Sequence, residues 1–506
     1  MTYWTTLGLR VLEFSALLFV FVIGMLCICL IWMYIADITQ SKQAIRRNFP
    51  LIGRLRYAFE HLGEFFRQYF FAMDREELPF NRAQRSWVYR AAKNVDSTLA
   101  FGSSRPLNQS GDIVFLNHPF PTLQEDFEDT PYLTVGEGYC ENPYSTKAVV
   151  NISGMSFGAL SVPAVKALSH GAKKAGIWMN TGEGGLSPYH LEGGCDIVFQ
   201  IGTAKYGVRD EAGKLCNSKL KEIAAHEQVK MFEIKLSQGA KPGKGGILPG
   251  DKVTKEIAAI RSIPVGQDSI SPNAHSEIRS ADDLLDFVAH VRKITKKPTG
   301  FKFVLGESSW IEDLCKRIVE RGLDSAPDFI TIDSADGGTG AAPQSLMDFV
   351  GLPLRCSLPL VIEKLEEYGL KGRIKVITSG KLLNPADVAW ALCLGADFVT
   401  SARGFMFSLG CIQALQCNKN ICPTGITTHN KRLHKGLNPT LKSERVANFA
   451  NNIHHEIEVI AHSCGVSEPR KLGKHHAQII DSNGDLIPIC LLYTSDAADE
   501  GLPTKA

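Results

Sequence analysis

The stretch AVVNISGMSFGALSVPAVKALSHGAKKAG, residues 148–176, contains one complete strand–loop–helix unit. Its first residues are rich in Val and Ile, a Gly-containing loop follows, and the remainder has the apolar spacing of a helix. Seven further strand-like runs follow along the chain, and helical patterns separate most of them. The eight runs are AVVNIS (148–153), IWMNT (177–181), DIVFQIG (196–202), FEIKLS (232–237), GFKFVL (300–305), FITIDS (329–334), KVITSG (375–380) and DFVTSA (397–402).

Strands that alternate with helices indicate an α/β protein with a parallel sheet. Eight such units predict a (β/α)8 TIM barrel, here over residues 148–485. A doubly wound open sheet is the alternative fold, but it usually brings a G-x-G-x-x-G turn, and the sequence contains neither that turn nor a Walker A motif.

The composition argues against several classes of protein. The chain has 506 residues, of which 44% are hydrophobic and 21% charged, as in an ordinary folded protein. A formal net charge of +2 gives no electrostatic reason to expect a nucleic acid partner. Thirteen Cys in a chain of this length do not indicate a disulfide-rich scaffold.

The N-terminal region predicts a membrane anchor. Residues 14–36, FSALLFVFVIGMLCICLIWMYIA, contain no charge and are long enough to cross a bilayer as one helix. A secretory signal peptide is the less favoured alternative, because the apolar run exceeds a typical signal core. The excess of basic residues after the run predicts that the bulk of the chain lies in the cytoplasm. These residues are Lys42, Arg46, Arg47, Arg54 and Arg56, against Arg10 before it.

Residues 37–147 are predicted to form a helical and irregular arm between this span and the barrel. Within the arm, Phe49–Phe71 is aromatic and basic. It fits an amphipathic helix on the membrane surface and equally an ordinary helix packed on the main domain.

The C-terminal residues have a different character. CLLYTSDAADE (490–500) back-translates to a nucleotide sequence that closely matches a transposase adapter used in sequencing libraries. We therefore expect residues 490–506 to be a non-native tail and leave them out of the fold prediction.

Most of the predicted strands end in polar or Gly-rich residues. In a barrel these positions form the C-terminal face, where backbone amides can surround a phosphate-bearing ligand. The loops after the last two strands, SGK (379–381) and SARG (401–404), are the expected phosphate site. The other loops are SGMSFG (153–158), NTGEGG (180–185), SQGAKPGKGG (237–246) and SADGGTG (334–340).

Three cysteines follow the eighth predicted strand: Cys411, Cys417 and Cys422, in the spacing C-x5-C-x4-C. In a cytoplasmic protein, close cysteines favour a metal site over a disulfide. Three thiolates without a nearby fourth suit an iron–sulfur cluster that lacks one iron, although Cys464 is a distant fourth candidate. Three unpaired thiols remain the alternative, and zinc is less attractive because the triplet contains no His.

Five motifs together carry a family resemblance: SGMSFGALS (153–161), NTGEGG (180–185), EIKLSQGAKPGKGG (233–246), DGGTGAAP (336–343) and the cysteine triplet with its Pro (411–423). On these motifs, residues 45–485 resemble the FMN-binding glutamate synthase family, in its short, membrane-associated form. The resemblance implies a TIM barrel that carries FMN and a [3Fe-4S] cluster. It also implies an oxidoreductase that reduces 2-iminoglutarate, formed from 2-oxoglutarate and ammonia, to L-glutamate, with electrons from a donor such as ferredoxin.

The resemblance also implies roles for individual residues. Glu183 and Lys235 match catalytic positions, and Lys235, Lys241 and Arg261 match residues that hold the carboxylates of 2-oxoglutarate. In isolation, a buried ion pair at Lys235 and a helix cap at Glu183 are the alternative interpretations. Cysteines 411, 417 and 422 match the cluster ligands. The implied flavin-binding residues are Ser153, Gly154, Met155, Ser156, Gln200, Lys302, Gly337, Gly338, Ser379, Gly380, Lys381 and Ser401.

The sequence departs from the family pattern near the substrate. The family typically has GEGGQLPG, with a Gln that hydrogen-bonds 2-oxoglutarate, whereas this chain has GKGGILPG (243–250) and so places Ile247 there. Leu186 and Ser187 replace an acidic pair, and SPNAHSEIR (271–279) replaces a Pro-rich loop. Loss of a designed polar contact changes specificity strongly, so a related enzyme for another keto acid is the alternative. A membrane-tethered electron-transfer subunit is a third interpretation.

The nitrogen source is open as well. Complete glutamate synthase carries a glutaminase domain that this sequence does not contain. We therefore expect free ammonia or a partner protein to supply the nitrogen.

Overall fold

The computed structural model describes residues 3–96 and 98–489, without the side chains of Glu64, Phe65 and Gln68. The chain divides into two compact units, the first ending at Ala83 and the second beginning at Gln84. The predicted non-native tail, residues 490–506, lies outside the described residues.

The first unit is helical. Its helix Tyr3–Thr39 contains the predicted span 14–36 and is long and apolar enough to cross a membrane. Two shorter helices follow, Ala44–Asn48 and Ile52–Phe66, and the second continues into a π-helical turn, Arg67–Phe71.

A closed barrel of eight parallel strands forms the centre of the second unit, and each predicted strand run overlaps one of them. The strands pair in chain order, and the last closes on the first through Val399 and Val150. The predicted TIM barrel is therefore confirmed. The strands are β1 (Val150–Ile152), β2 (Met179–Asn180), β3 (Ile197–Ile201), β4 (Val229–Lys235), β5 (Thr299–Phe303), β6 (Phe329–Asp333), β7 (Lys375–Ser379) and β8 (Phe398–Ser401).

Local signals explain where the outer helices begin and end. In the first strand–helix unit, Ser161 caps the helix Val162–Ala175 by accepting a hydrogen bond from the Ala164 amide, and Gly176 ends it in a left-handed conformation. The other helices of the barrel unit are Pro188–Leu191, Asn217–Ala225, Lys255–Arg261, Ala281–Thr295, Ser309–Arg321, Gln344–Phe349, Leu354–Glu367, Pro385–Cys393, Arg403–Ser408, Lys431–His434 and Pro439–Ser463, while Arg82–Ala92 spans the boundary between the units. Short 3-10 turns occupy Gln124–Asp126, Gly250–Lys252, Leu323–Ser325, Pro469–Lys471 and Lys474–His476.

The described residues also form three small antiparallel sheets outside the barrel. The hairpin Leu133–Val135 and Tyr144–Thr146 packs its Val135 and Tyr144 into an apolar cluster with Trp178 and Phe398, residues at the beginnings of strands. This cluster fills the N-terminal end of the barrel, so polar side chains concentrate at the other end. The remaining sheets pair Ile247–Leu248 with Ser269–Ile270, and Ile113–Phe115 with Ala477–Ile480 and Leu486–Pro488.

Candidate active site

A cleft opens at the carboxyl ends of the barrel strands, and most of the predicted site residues line it. The lining residues come from the loops after β1, β2, β4, β6 and β8 and from the ends of β3, β4, β5, β6 and β7. The predicted residues that line the cleft are Ser153, Gly154, Met155, Ser156, Glu183, Gln200, Lys235, Lys241, Arg261, Lys302, Gly338, Ser379 and Cys417.

Six predicted residues lie outside this lining: Gly337, Gly380, Lys381, Ser401, Cys411 and Cys422. Gly337 packs behind the wall, where an added Cβ would come within 2.7 Å of Asp333 Oδ1. Gly380 and Lys381 form a turn with positive φ angles of 133° and 52°, and Ser401 Oγ accepts a hydrogen bond from the Gly404 amide at 3.3 Å. These residues shape the loops from outside the cleft surface.

Two buried ion pairs form the floor of the cleft. Lys235 Nζ lies 3.2 Å from Glu183 Oε2, and Lys302 Nζ lies 3.6 Å from Asp333 Oδ2. Burial alone would raise the pKa of Glu183, but Lys235, Lys241 and Arg261 outweigh it and hold that pKa below its usual value. Glu183 is therefore a carboxylate at neutral pH.

The cations outnumber the acids that face them. Burial lowers the pKa of Lys241 to about 8, and its Nζ donates to the Ala341 carbonyl at 3.1 Å. Burial also lowers the pKa of Arg261, whose guanidinium reaches the Ser156 hydroxyl at 3.4 Å while its Nε has no partner. A buried donor without a partner is costly, so this set is suited to an anionic ligand.

Glu233, which sequence reasoning missed, orients the amide groups inside the barrel. Its Oε1 accepts from Gln200 Nε2 at 2.7 Å and from Asn180 Nδ2 at 2.8 Å, and its Oε2 accepts from Thr331 Oγ1 at 2.7 Å. Nε2 of Gln200 uses one of its two N–H groups on Glu233, so the Gln200 carbonyl oxygen and the second N–H are left for a ligand. The signal in the sequence was an acidic residue inside an otherwise apolar strand.

Other missed residues complete the walls. Arg403, inside the quoted SARG motif, lines the cleft and donates to the Thr339 carbonyl at 2.6 Å. Gln238 accepts a hydrogen bond from Lys235 Nζ. Lys252 is buried and donates to the carbonyls of Ala159 at 2.8 Å and Cys417 at 3.3 Å. For Arg403 and Gln238, two and three positions past the ends of β8 and β4, a polar residue just beyond a strand end was the available signal.

Not all of the residues that depart from the family pattern line the cleft. Ile247 lines it, whereas Leu186 and Ser187 do not. Ser187 is buried and instead caps the helix Pro188–Leu191. In the loop 271–279, His275 is buried and its Nε2 lies 3.0 Å from the Lys235 carbonyl, behind the cleft floor.

The cysteine triplet lies beside the same cleft. Cys417 lines the cleft, Cys422 is buried, and Cys411 is half-buried. In the part of the chain that the structure describes, no three His, Cys, Asp or Glu side chains lie close enough together to hold a single metal ion. The thiolates of an iron–sulfur cluster each bind a different iron, so they stand further apart than the ligands of a single ion.

The comparison with protein families decides the identity. Residues 108–467 match the family model described as the conserved region in glutamate synthase. The chain belongs to the glutamate synthase family. The large-subunit-like protein YerD of Bacillus subtilis is 38% identical over 93% of this chain and 97% of its own length.

Other glutamate synthase relatives are longer than the matched region. An archaeal glutamate synthase [NADPH] of Methanocaldococcus jannaschii is 37% identical over 64% of this chain, and an archaeal-type enzyme of Thermotoga maritima is 35% identical over 63%. The chain spans only 60% and 59% of these two proteins. Among solved structures, a flavocytochrome b2 variant with bound pyruvate matches at 14% identity and a TM-score of 0.46, over 89% of this chain and 91% of that one.

Proposed function

We propose that the protein is a flavin- and iron–sulfur-dependent oxidoreductase of glutamate synthase type, which reduces 2-iminoglutarate to L-glutamate. One observation carries the proposal: among the described residues that line the cleft, the buried cations Lys235, Lys241, Lys252, Lys302 and Arg261 outnumber the two lining acids, Glu183 and Asp333, and remain in excess when the buried Glu233 near Lys302 is added. Two carboxylates of a bound substrate would balance this excess of positive charge, and an Arg can hold one of them bidentately.

The remainder of the cleft has the donor set that FMN requires. Arg403, Ser379 and the Gly338–Ala341 loop supply a cation, a hydroxyl and backbone for a phosphate, while Gln200 and Lys302 supply polar groups for the ring. Gly338 leaves the space this needs, since an added Cβ would lie 2.7 Å from Arg403 Nε. FMN, when bound, supplies the electrons for the reduction.

The residues of the chain bind and polarise the substrate. Lys241 and Arg261 hold its carboxylates, and ionised Glu183 orients the ammonium or imine nitrogen. Lys235, with its pKa lowered by burial although Glu183 opposes this, would give a proton to the substrate nitrogen, and the adjacent carbon would take the hydride that bound FMN supplies. Lys302 places positive charge at the ring, where it favours a reduced, anionic flavin.

The three cysteines are proposed to hold a [3Fe-4S] cluster at the edge of the cleft. The support is positional, because Lys252 joins the Cys417 carbonyl to the Ala159 carbonyl of the loop after β1. A donor such as ferredoxin would deliver electrons here. The helix Tyr3–Thr39 is proposed to anchor the enzyme as a single span, with the barrel in the cytoplasm.

A second candidate is reduction of another keto acid. The observation in its favour is Ile247, which lines the cleft and cannot form the hydrogen bond made by the family's Gln. The first test is to reduce the flavin of the full chain anaerobically, add 2-oxoglutarate with ammonium, and follow flavin reoxidation and glutamate formation. Reoxidation with glutamate supports the first candidate. A loaded, reduced enzyme that reoxidises only with another keto acid and ammonium supports the second.

Glu183→Gln tests whether the cleft is catalytic at all. We expect turnover to fall by about 10²-fold, the cost of misplacing a reacting group, with flavin still bound. Glu211→Gln, at an exposed Glu, is the matched control and is expected to leave turnover unchanged. Full turnover in Glu183→Gln would remove the role proposed for this carboxylate.

A further inference from the structure

The helix Ile52–Phe66 in the first unit carries an unpartnered apolar stripe. Its members recur every three or four residues, so they share one face of the helix, and they are exposed, with Ile52 73% and Phe59 66% accessible. The following turn extends the surface with Phe70, which is 73% exposed. The stripe consists of Ile52, Leu55, Phe59, Leu62 and Phe66.

The opposite face of this helix packs on its own unit. Gly53 lies against the helix Ala44–Asn48 so closely that an added Cβ would come within 2.8 Å of the Ile45 carbonyl oxygen. Arg54 donates to Asp37 at 2.8 Å and to the Met33 carbonyl at 3.4 Å. One side of the helix therefore packs within the unit, while the apolar stripe on the other side stays exposed.

An ion cluster determines where the helix starts relative to the apolar span. Asp37 is fully buried, and Arg46, Arg54 and the Leu51 amide all donate to its carboxylate, at distances of 2.6–3.1 Å. Asp37 directly follows the uncharged run 14–36. If that run crosses a bilayer, the Arg54 end of the helix begins at the bilayer boundary.

The charge around the stripe suits an anionic membrane surface. Residues 37–71 contain five Arg and one Lys against Asp37 and two Glu, so six basic and three acidic residues leave a net charge of +3 with the Asp37 pairs included. Aromatic and aliphatic residues on one face, with basic residues around them, are the composition of helices that lie in the interface.

We propose that Ile52–Phe66 is an interfacial helix whose apolar stripe inserts into the headgroup layer of an anionic bilayer. The Asp37–Arg46–Arg54 cluster holds it at the end of the span, so the protein binds the membrane through two elements. This inference rests on the proposed span 14–36 and not on the redox chemistry.

Photo-crosslinking of the full chain tests the proposal. Phe59 is replaced by p-benzoylphenylalanine, and the protein is reconstituted in nanodiscs of phosphatidylcholine and phosphatidylglycerol. His61, exposed and on the opposite side of the helix, is the matched control position, and Phe19 inside the run 14–36 reports on the span itself. Mass spectrometry then identifies the adducts after irradiation.

We expect lipid adducts from positions 19 and 59 and none above background from position 61. Adducts at 19 but not at 59, or adducts from 59 to residues 84–489 or to a second copy, would overturn the interfacial helix while leaving the span intact. Absence of lipid adducts at both 19 and 59 would overturn the span and the helix together. In nanodiscs of phosphatidylcholine alone the yield at 59 is expected to fall, and an unchanged yield would contradict the choice of an anionic surface.

Discussion

The two ends of the barrel both bury charged groups, but they balance them differently. At the N-terminal end, Asp328 is fully buried and lies 2.9 Å from Arg292 and 3.0 Å from Arg373, and it also accepts from the Thr299 amide. Tyr139 covers Arg373, with the guanidinium carbon 3.7 Å from the ring centre. Each charge there has a partner within the protein.

At the C-terminal end the charges are left in excess. Four cations, Lys235, Lys241, Lys302 and Arg261, face Glu183 and Asp333. The difference shows that buried charge has two uses in one fold. In a closed set, such as Asp328 with Arg292 and Arg373, every charged group has a partner within the protein, and the set stabilises the fold. A set with an excess of one charge can instead bind a ligand of the opposite charge.

The largest expected effect is a loss of folding stability when the closed set around Asp328 is broken. Asp328→Ala leaves Arg292 and Arg373 buried without their carboxylate, so we expect the free energy of unfolding to fall by about 3–5 kcal/mol. Denaturant titration of the full chain measures this. Asp313→Ala, which removes an exposed partner of Arg317, is the control, with an expected change of at most about 1 kcal/mol. A similar small change in both variants would contradict the comparison.

A matched substitution at the open end is expected to affect binding more than stability. Arg261→Gln removes a buried cation from the cleft, and hydrogen bonds to charged groups contribute about 1.5–3 kcal/mol, so kcat/KM should fall about 10–100-fold. The free energy of unfolding should fall less than in Asp328→Ala. Lys244→Gln, at an exposed Lys of the loop that also holds Lys241, is the kinetic control. A loss of stability as large as that of Asp328→Ala would show that Arg261 belongs to a closed set.

The pH dependence of substrate KM tests the excess of positive charge at the C-terminal end. Burial lowers the pKa of Lys241 to about 8 from an ordinary 10.5, so the residue loses its charge as pH rises through 8. Substrate KM is expected to rise over that step, and Lys241→Met is expected to lack the step. Between the two pKa values the unfolded chain binds more protons, so the stability contributed by Lys241 rises with pH while binding weakens. A KM that is flat across this range in the parent enzyme would contradict the assignment.

The smallest effect is expected at Ile247. If the substrate is 2-oxoglutarate, Ile247→Gln restores a neutral hydrogen bond, and KM for 2-oxoglutarate should fall by about 2–10-fold. Ile270→Gln, at the exposed partner of Ile247 in the short sheet, is the matched control. A rise in KM with Ile247→Gln would indicate that the cleft is built for a less polar keto acid.

The sequence predicted the barrel strands closely because their apolar runs are buried on both sides and bounded by loops. The main deviation is β4, which begins at Val229, three residues before the predicted run, because Val229 and Met231 are also buried. Thirteen of the predicted site residues line the cleft, and their roles stay predictions. Glu233 and Arg403 were missed because nothing local shows that one turns into the barrel and the other toward the Gly338 loop.

What the sequence by itself determined is the alternation of strands and helices, the Gly-rich loops at strand ends, and the motifs that identify the glutamate synthase family. These are local patterns, and local spacing is enough to specify them. The tertiary structure alone decided that Ile247 faces the cleft while Ser187 caps a helix, and that Arg261 lacks a full set of partners while Arg373 is paired. Such differences depend on which groups from distant parts of the chain meet in space, and the closure of the barrel brings those groups together.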